Sequence, residues 1–316
     1  MKRLLIDPTH PKPPTRDHPH DQELPNTLPA AKEIKVHPTK SGGEDASIFF
    51  VGTATTIIEW RGIRLMTDPN FLHAGDHVHL GPGVTSTRLT NPALDLHSLP
   101  PIDAVLLSHY HADHFDQLVE ASLRRDLPII TTPHARAHLA EGKEAGEAFT
   151  QVYALGFFES LVVDVGGGRG RGVSGLRAVP PTNGWMVELG VEREGGGFEC
   201  GFRIYISGDT LMVDELKEIP ERYKGQNIDL MLVHLGGTTI PSPSVPLLMV
   251  TMDAKQGLEL VRLINPDLTI PIHYDDYDVM LSPLSDFMKA MEEAGLADKV
   301  VYLDRKDQYK FKVKEL

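Results

Sequence analysis

The sequence predicts an α/β protein in which sheets are layered with helices on the outside. Three observations carry this. A run rich in β-branched and aromatic residues, "ASIFFVGTATTIIEWRGIRLMTDP" (46–69), is broken by Gly52 and Gly62 and reads as consecutive strands with tight turns. The segment "IDAVLLS" (102–108) is a continuous apolar run, the mark of a strand buried on both faces, and "IDLMLVHLGG" (228–237) reads as another buried strand. Segments of helical spacing lie between such runs, and that alternation is how covered sheets are built.

Residues 1–40 hold eight prolines and four histidines. Proline fixes φ and removes a backbone donor, so residues 1–45 are expected to form an extended surface arm, with the folded domain at 46–316. After the first buried run, "HFDQLVEASLRR" places Phe115, Leu118, Val119 and Leu123 on one helical stripe. "PIITT" (128–132) reads as a strand ahead of a helix-like "PHARAHLAEG". "ESLVVDVG" and "SGLRAVPP" read as strands around "GGGRGRGVSG" (166–175). That glycine cluster lacks the Lys-Ser/Thr ending and following helix of a phosphate-binding loop, so it reads as a turn. Residues 186–210 read as a hairpin across Gly195–Gly197, "DAKQGLELVRLINP" as an amphipathic helix, and "LTIPIHY" as a strand ending in His273.

Composition narrows the function. The 316 residues carry a formal charge of −13, which argues against gripping a nucleic acid backbone, since that needs clustered Lys and Arg. The single cysteine, Cys200, cannot form an intramolecular disulfide. No run has the length of a signal peptide core or of a membrane span. The expectation is a soluble, cytoplasmic protein acting on a small molecule, with no nucleic acid partner and no membrane span; an oligomer is left open.

The chemistry concentrates in "SHYHADHFD" (108–116), directly after a buried strand. A strand running into a helix leaves its loop at the strand's C-terminal edge, where α/β proteins place their sites. His109 and His111, two apart, point the same way in extended backbone. Asp113 and His114 follow as the chain turns. Imidazole nitrogens with carboxylate oxygens make a good zinc set. A histidine-rich surface loop is the bland alternative, but four potential ligands within six residues after a buried strand disfavour it.

"HYHADH" resembles the HxHxDH motif of the metallo-β-lactamase superfamily. "TDP" (67–69), "YISGDT" (205–210) and "IPIHY" (270–274) follow in the family's order, so the resemblance spans about residues 46–310. The most similar branch holds the ascorbate-phosphate lactonase and the N-acyl-phosphatidylethanolamine phospholipase D. The resemblance implies an αβ/βα sandwich of two mixed β-sheets with helices on the outer faces. It implies His109 and His111 on a first metal, Asp113, His114 and His273 on a second, Asp209 bridging them, and Asp68 supporting. Where the family supplies a third histidine to the first metal, this chain has Asn183 in "AVPPTNG". That first site would be weak, would prefer a harder metal such as manganese, or would stay empty.

The expected cofactor is one or two zinc ions, with manganese as the alternative. The expected function is hydrolysis by metal-activated hydroxide of a lactone or a cyclic amide or ester. The runner-up is a phosphodiesterase of a small or lipid substrate, and the alternative class is a non-catalytic metal-binding protein with a degraded first site. Asp113 and Asp209 are expected to hold the nucleophile and shuttle its proton, and Tyr274 to donate to the substrate carbonyl. The 71–92 loop is expected to overhang the site, with His77, His79 and Arg88 contacting substrate. His234, ending an apolar strand, reads as a core or supporting histidine.

Overall fold

The computed structural model describes residues 2–19, 23–81, 83–165, 174–179, 184–193, 197–242 and 244–315, the 174–179 strand by its backbone. Two mixed sheets face each other. One orders the strands Lys2–Ile6, Ser160–Val165, Ser174–Val179, Gly184–Glu192, Phe198–Ile206, Leu230–His234 and Leu268–Ile272. The other orders Val152–Ala154, Ile129–Thr131, Ala104–Leu106, Ile63–Thr67, Thr55–Trp60, Ala46–Gly52, Gln308–Phe311 and Ile34–Val36.

The apolar runs are continuous because both faces of each sheet are covered. Successive side chains of a strand point to opposite faces. Ile48 and Phe50 therefore face the space between the sheets, with Ile58, Leu106, Trp185, Ile204, Leu232 and Ile270. Their neighbours Phe49 and Val51 face outward, against Val119 and Leu139, from helices α1 (Gln117–Ser122) and α2 (Pro133–Ala140). On the other sheet Met231 and Val233 face outward. They meet residues of α3 (Glu218–Arg222), α4 (Ala254–Ile264) and α5 (Leu284–Glu293).

The helix starts follow from side-chain caps. Asp116 accepts from Val119 N, Thr132 from Ala135 N ahead of Pro133, and Asp253 from Gln256 N. Each satisfies a donor left free by the first helical turn. Gly257 is needed where α4 meets the sheet, because a Cβ there would lie 2.5 Å from Leu235 Cδ2.

The arm differs from expectation. Lys2–Ile6 is a parallel edge strand beside Ser160–Val165, with Leu4 and Ile6 buried, and Ile34–Val36 pairs in parallel with Gln308–Phe311. Seven of the eight prolines fall between these two short segments and Pro38 follows the second, so none is inside either and both are free to donate to a ladder. The glycine-cluster turn at 166–173 and the tip at 194–196 lie outside the described residues.

Two small sheets complete the fold. His77–Gly81 pairs with Val84–Thr87, so the region expected as a loop is a hairpin. Gly236–Ser242 pairs with both Val245–Met249 and Met280–Ser282. Among the described residues, no helix is long and apolar enough to cross a membrane.

Candidate metal centre

Five parallel strand ends converge at one edge of the sandwich. Ile63–Thr67 and Ala104–Leu106 run parallel in one sheet; Phe198–Ile206, Leu230–His234 and Leu268–Ile272 run parallel in the other. Just beyond, or at, their C-terminal ends stand Asp68, the 108–114 loop, Asp209, His234 and His273. Asp68 and His273 hold left-handed backbone, at φ 32° and 59°. Such conformations cost a non-glycine residue about 1–3 kcal/mol and persist where surrounding structure over-determines them, often at functional sites. Gly236 has φ 101°, and a Cβ there would lie 2.9 Å from the His273 carbonyl oxygen, so only glycine lets the chain pass that close.

Asp113, His114, Asp209 and His273 each turn a ligand atom inward, and those atoms all lie within 4.8 Å of one another. His114 Nε2 is 3.0 Å from Asp209 Oδ2, and His273 Nε2 is 3.5 Å from Asp113 Oδ2. Asp68, His114 and His234 form a second such set sharing His114. Asp68 fixes the loop: Oδ1 accepts from Ser108 N, Oδ2 accepts from Ser108 Oγ, and Oδ2 lies 3.1 Å from His114 Nδ1. His273 Nδ1 is held 3.1 Å from the Leu235 carbonyl, leaving Nε2 aimed at the cluster.

The electrostatics are those of a cation site. Burial alone would depress the His114 imidazolium, but the Asp209 and Asp113 charges, with hydrogen bonds to Asp209 and Asp68, hold its pKa well above the ordinary value. Burial opposes the charged forms of Asp113 and Asp209 too, yet His114 and His273 keep both below the carboxylate range. His273 is raised against its burial, first by Asp209. Burial dominates at His109, pushed down to about 3, and at His234, also lowered. Three buried atoms, Asp113 Oδ1, His234 Nε2 and His273 Nε2, have no hydrogen-bond partner. Buried polar atoms are rarely left so. Two imidazole nitrogens and a carboxylate oxygen, orphaned around two further carboxylate and imidazole ligands, are the donor set of a transition metal such as zinc.

His109 and His111 lie side by side, ring centroids 4.5 Å apart, with His109 4.2 Å from His114. They stand beside the four-residue set and not within it, and His111 is exposed. Asn183, expected at the first site, lies outside the described residues.

The structure corrects four assignments. Tyr274 is a core residue: it is 4 % exposed, and its hydroxyl donates to the Leu303 carbonyl at 2.6 Å, so it is not turned toward a substrate. Arg88 is 1 % exposed. Its Nη1 donates to Asn70 Oδ1 and its Nε to the Thr90 carbonyl, while Asn70 Nδ2 donates to the Asp113 carbonyl. Arg88 thus braces the 108–114 loop through Asn70. His77 and His79 occupy the exposed face of their hairpin, pairing across it with Thr87 and Thr85 at 3.2 and 3.1 Å. Val78, between them, is the residue that packs inward, in a cluster that Leu80 and Ala112 of the ligand loop adjoin. The hairpin flanks the loop as expected, but its histidines do not.

His234 is buried, 1 % exposed, and bonds Asp209. Its Nδ1 lies 3.1 Å from Asp209 Oδ1, and its backbone N donates to Ser207 Oγ. Its place at the C-terminal end of an apolar strand puts it at the same edge as the candidate ligands.

Two mixed sheets with outer helices and an HxHxDH cluster at one strand edge define a metallo-β-lactamase fold protein. Residues 64–274 match the family model of the beta-lactamase superfamily domain, and the chain belongs to that family. It is 27% identical over 207 residues to a UPF0173 metal-dependent hydrolase of Nanoarchaeum equitans, covering 64% of this chain and 83% of that one. It is 25% identical over 258 residues to one from Salinibacter ruber, covering 79% and 94%. Among solved structures, isothiocyanate hydrolase from Delia radicum gut bacteria superposes with TM-score 0.64 at 15% identity, over 85% of this chain and all of that one.

Proposed function

We propose that the chain is a metal-dependent hydrolase in which Asp113, His114, Asp209 and His273 hold a zinc ion and His109 and His111 contribute to a second. The observation that carries this is the set of four side chains whose ligand atoms all lie within 4.8 Å of one another, with the buried His273 Nε2 left without a hydrogen-bond partner. The relatives' shared description as metal-dependent hydrolases supports the same class.

When bound, such a metal supplies hydroxide at neutral pH by drawing the pKa of its water from ~16 toward ~7 and polarises the bond under attack. The chain's own residues do the rest. Asp113 keeps Oδ1 free of other partners, so it can accept the nucleophile's proton and later return it to the leaving group. His234 engages Asp209 Oδ1 and leaves Oδ2 turned to the cluster. Asp68 locks the His114 ring through Nδ1, a bond that sets the tautomer of a metal-ligating imidazole.

For the substrate, a lactone or a cyclic amide or ester is the reading preferred here. Arg88, the one side-chain cation the sequence offered to an anionic substrate, is buried and bonded to Asn70 and Thr90, so a phosphodiester would meet positive charge only from the metal. The test is elemental analysis of the purified protein, then turnover of lactones, cyclic amides, isothiocyanates and phosphodiesters before and after chelation. Lactone hydrolysis lost on chelation and restored by zinc or manganese is expected. A protein that binds neither metal, or turns over none of these substrates with metal bound, refutes the reading.

A further inference from the structure

The hairpin that follows His234 has a surface the catalytic reading does not use. From Leu235 to Met252 the chain runs through eighteen residues without one charge, in a protein of net charge −13. Much of that segment is outside the core: Val245 is 48 % exposed, Leu247 78 %, Leu248 57 % and Val250 37 %, and nearby Leu281 on Met280–Ser282 is 44 % exposed. These side chains present on the order of 400 Å² of apolar surface, a size at which a patch on a soluble protein marks a binding face.

The patch also has an open edge. Val245–Met249 pairs only with Gly236–Ser242 among the described residues, so its other side is unpartnered. Val250 N donates to the Thr238 carbonyl, while Thr239 N turns the opposite way, to the Val279 carbonyl. Thr239 faces Met249 in the register. By the alternation of an antiparallel ladder, the N–H and C=O of Met249 then point out of the sheet. Pro246 and the irregularity at Ile240–Pro241 lie toward the hairpin tip and leave this stretch regular. An uncharged, apolar strand edge is a template for another strand.

We propose that this hairpin is the docking surface for a second copy of the same chain, related by a two-fold axis. An antiparallel edge is complementary to itself, which suits the isologous contact of a two-fold dimer. The charge pattern favours a second copy over a membrane. Two chains of net charge −13 meet with least repulsion through an uncharged segment. A lipid surface would favour a rim of Lys and Arg, whereas the charged residues that flank this region are acidic: Asp253 directly after Met252 and the exposed Asp275 ahead of Met280–Ser282. The dimer would place each hairpin, and the His234 strand that leads into it, beside the partner's.

The test is sedimentation or light scattering of the full-length, metal-loaded protein at tens of micromolar, with Leu247→Asp/Leu248→Asp and, as a control on an exposed apolar residue outside the hairpin, Met288→Asp. Wild type and control are expected at twice the chain mass, and the double variant at one chain mass with an unchanged thermal melt and metal content. A second arm needs no disruption. In a Cys200→Ser background, Val245→Cys, Leu247→Cys or Met249→Cys should give a disulfide-linked dimer on mild oxidation, and Met288→Cys should not. A monomeric wild type, a dimer that survives the double substitution, failure of all three cysteines to cross-link, or a monomer that cosediments with phosphatidylcholine vesicles would each overturn the proposal.

Discussion

His114 Nε2 and Asp209 Oδ2 face each other at 3.0 Å across the gap between the two sheets' strand ends, one from the HxHxDH loop and one from the "SGDT" turn. Each keeps the other charged without a metal: Asp209 raises His114, and His114 lowers Asp209 against the burial of both. Asp209→Asn removes that charge and a ligand together. We expect it to lower turnover by at least about 100-fold, the upper range for losing even an outer partner of a metal site. Asp68→Asn, which frees the His114 ring without touching the cluster, should weaken metal affinity by about 10–100-fold. Metal titration of the two variants checks the order.

The metal-free protein should have a narrow stability optimum. His114 and His273 are raised above 6.5, so the stability they contribute is full below pH 6.5 and is lost as pH rises through their folded values. His109 and His234 are depressed from 6.5, His109 to about 3, so folding loses stability as pH falls below 6.5. Asp113 and Asp209, lowered from 3.8, add a further loss as pH falls through their folded values. Thermal melts of chelated protein should therefore peak near pH 6.5. Zinc should flatten the alkaline arm, because the metal replaces protons as the partner of the carboxylates. An alkaline arm unchanged by zinc would contradict the site.

Arg88→Met should act on stability and not on substrate affinity. The side chain is fully buried, its guanidinium 3.8 Å from the equally buried Asp276. Asp276 keeps Arg305, Thr90 and Thr53 as partners, so the loss is that of the Arg88 hydrogen bonds to Asn70 and Thr90, about 1.5–3 kcal/mol. The lost brace through Asn70 should also loosen Asp113. Denaturant melts and kinetics on an uncharged substrate separate the two effects: a lower midpoint with unchanged KM is expected.

Replacing His77 and His79 together with alanine should change little. Both are on the exposed hairpin face, and such surface changes stay within about ±0.5 kcal/mol. Unaltered kcat and KM are expected; a raised KM would show that the exposed face meets the substrate.

What the sequence determined is what neighbouring residues determine. Continuous apolar runs announced strands covered on both faces, and the helix after Asp116 was legible in its apolar stripe, its cap only in the structure. The cluster at 109–114 carries its chemistry within six residues and could be singled out directly, whereas Asp209 and His273 entered only through the family resemblance of "YISGDT" and "IPIHY". Depth and direction could not. Arg88 and Tyr274 are polar groups near the motifs in sequence, but Arg88 is drawn inward by Asn70 and Thr90, and Tyr274 by the Leu303 carbonyl, 29 residues away. His77 and His79 face solvent because Val78 fills the pocket under the hairpin, and alternation along the strand then fixes both neighbours. His234 joins the cluster because its strand lies in parallel register between the strands that carry Asp209 and His273. Which side chain meets which across such a sheet is set by long-range pairing, and only the folded chain decides it.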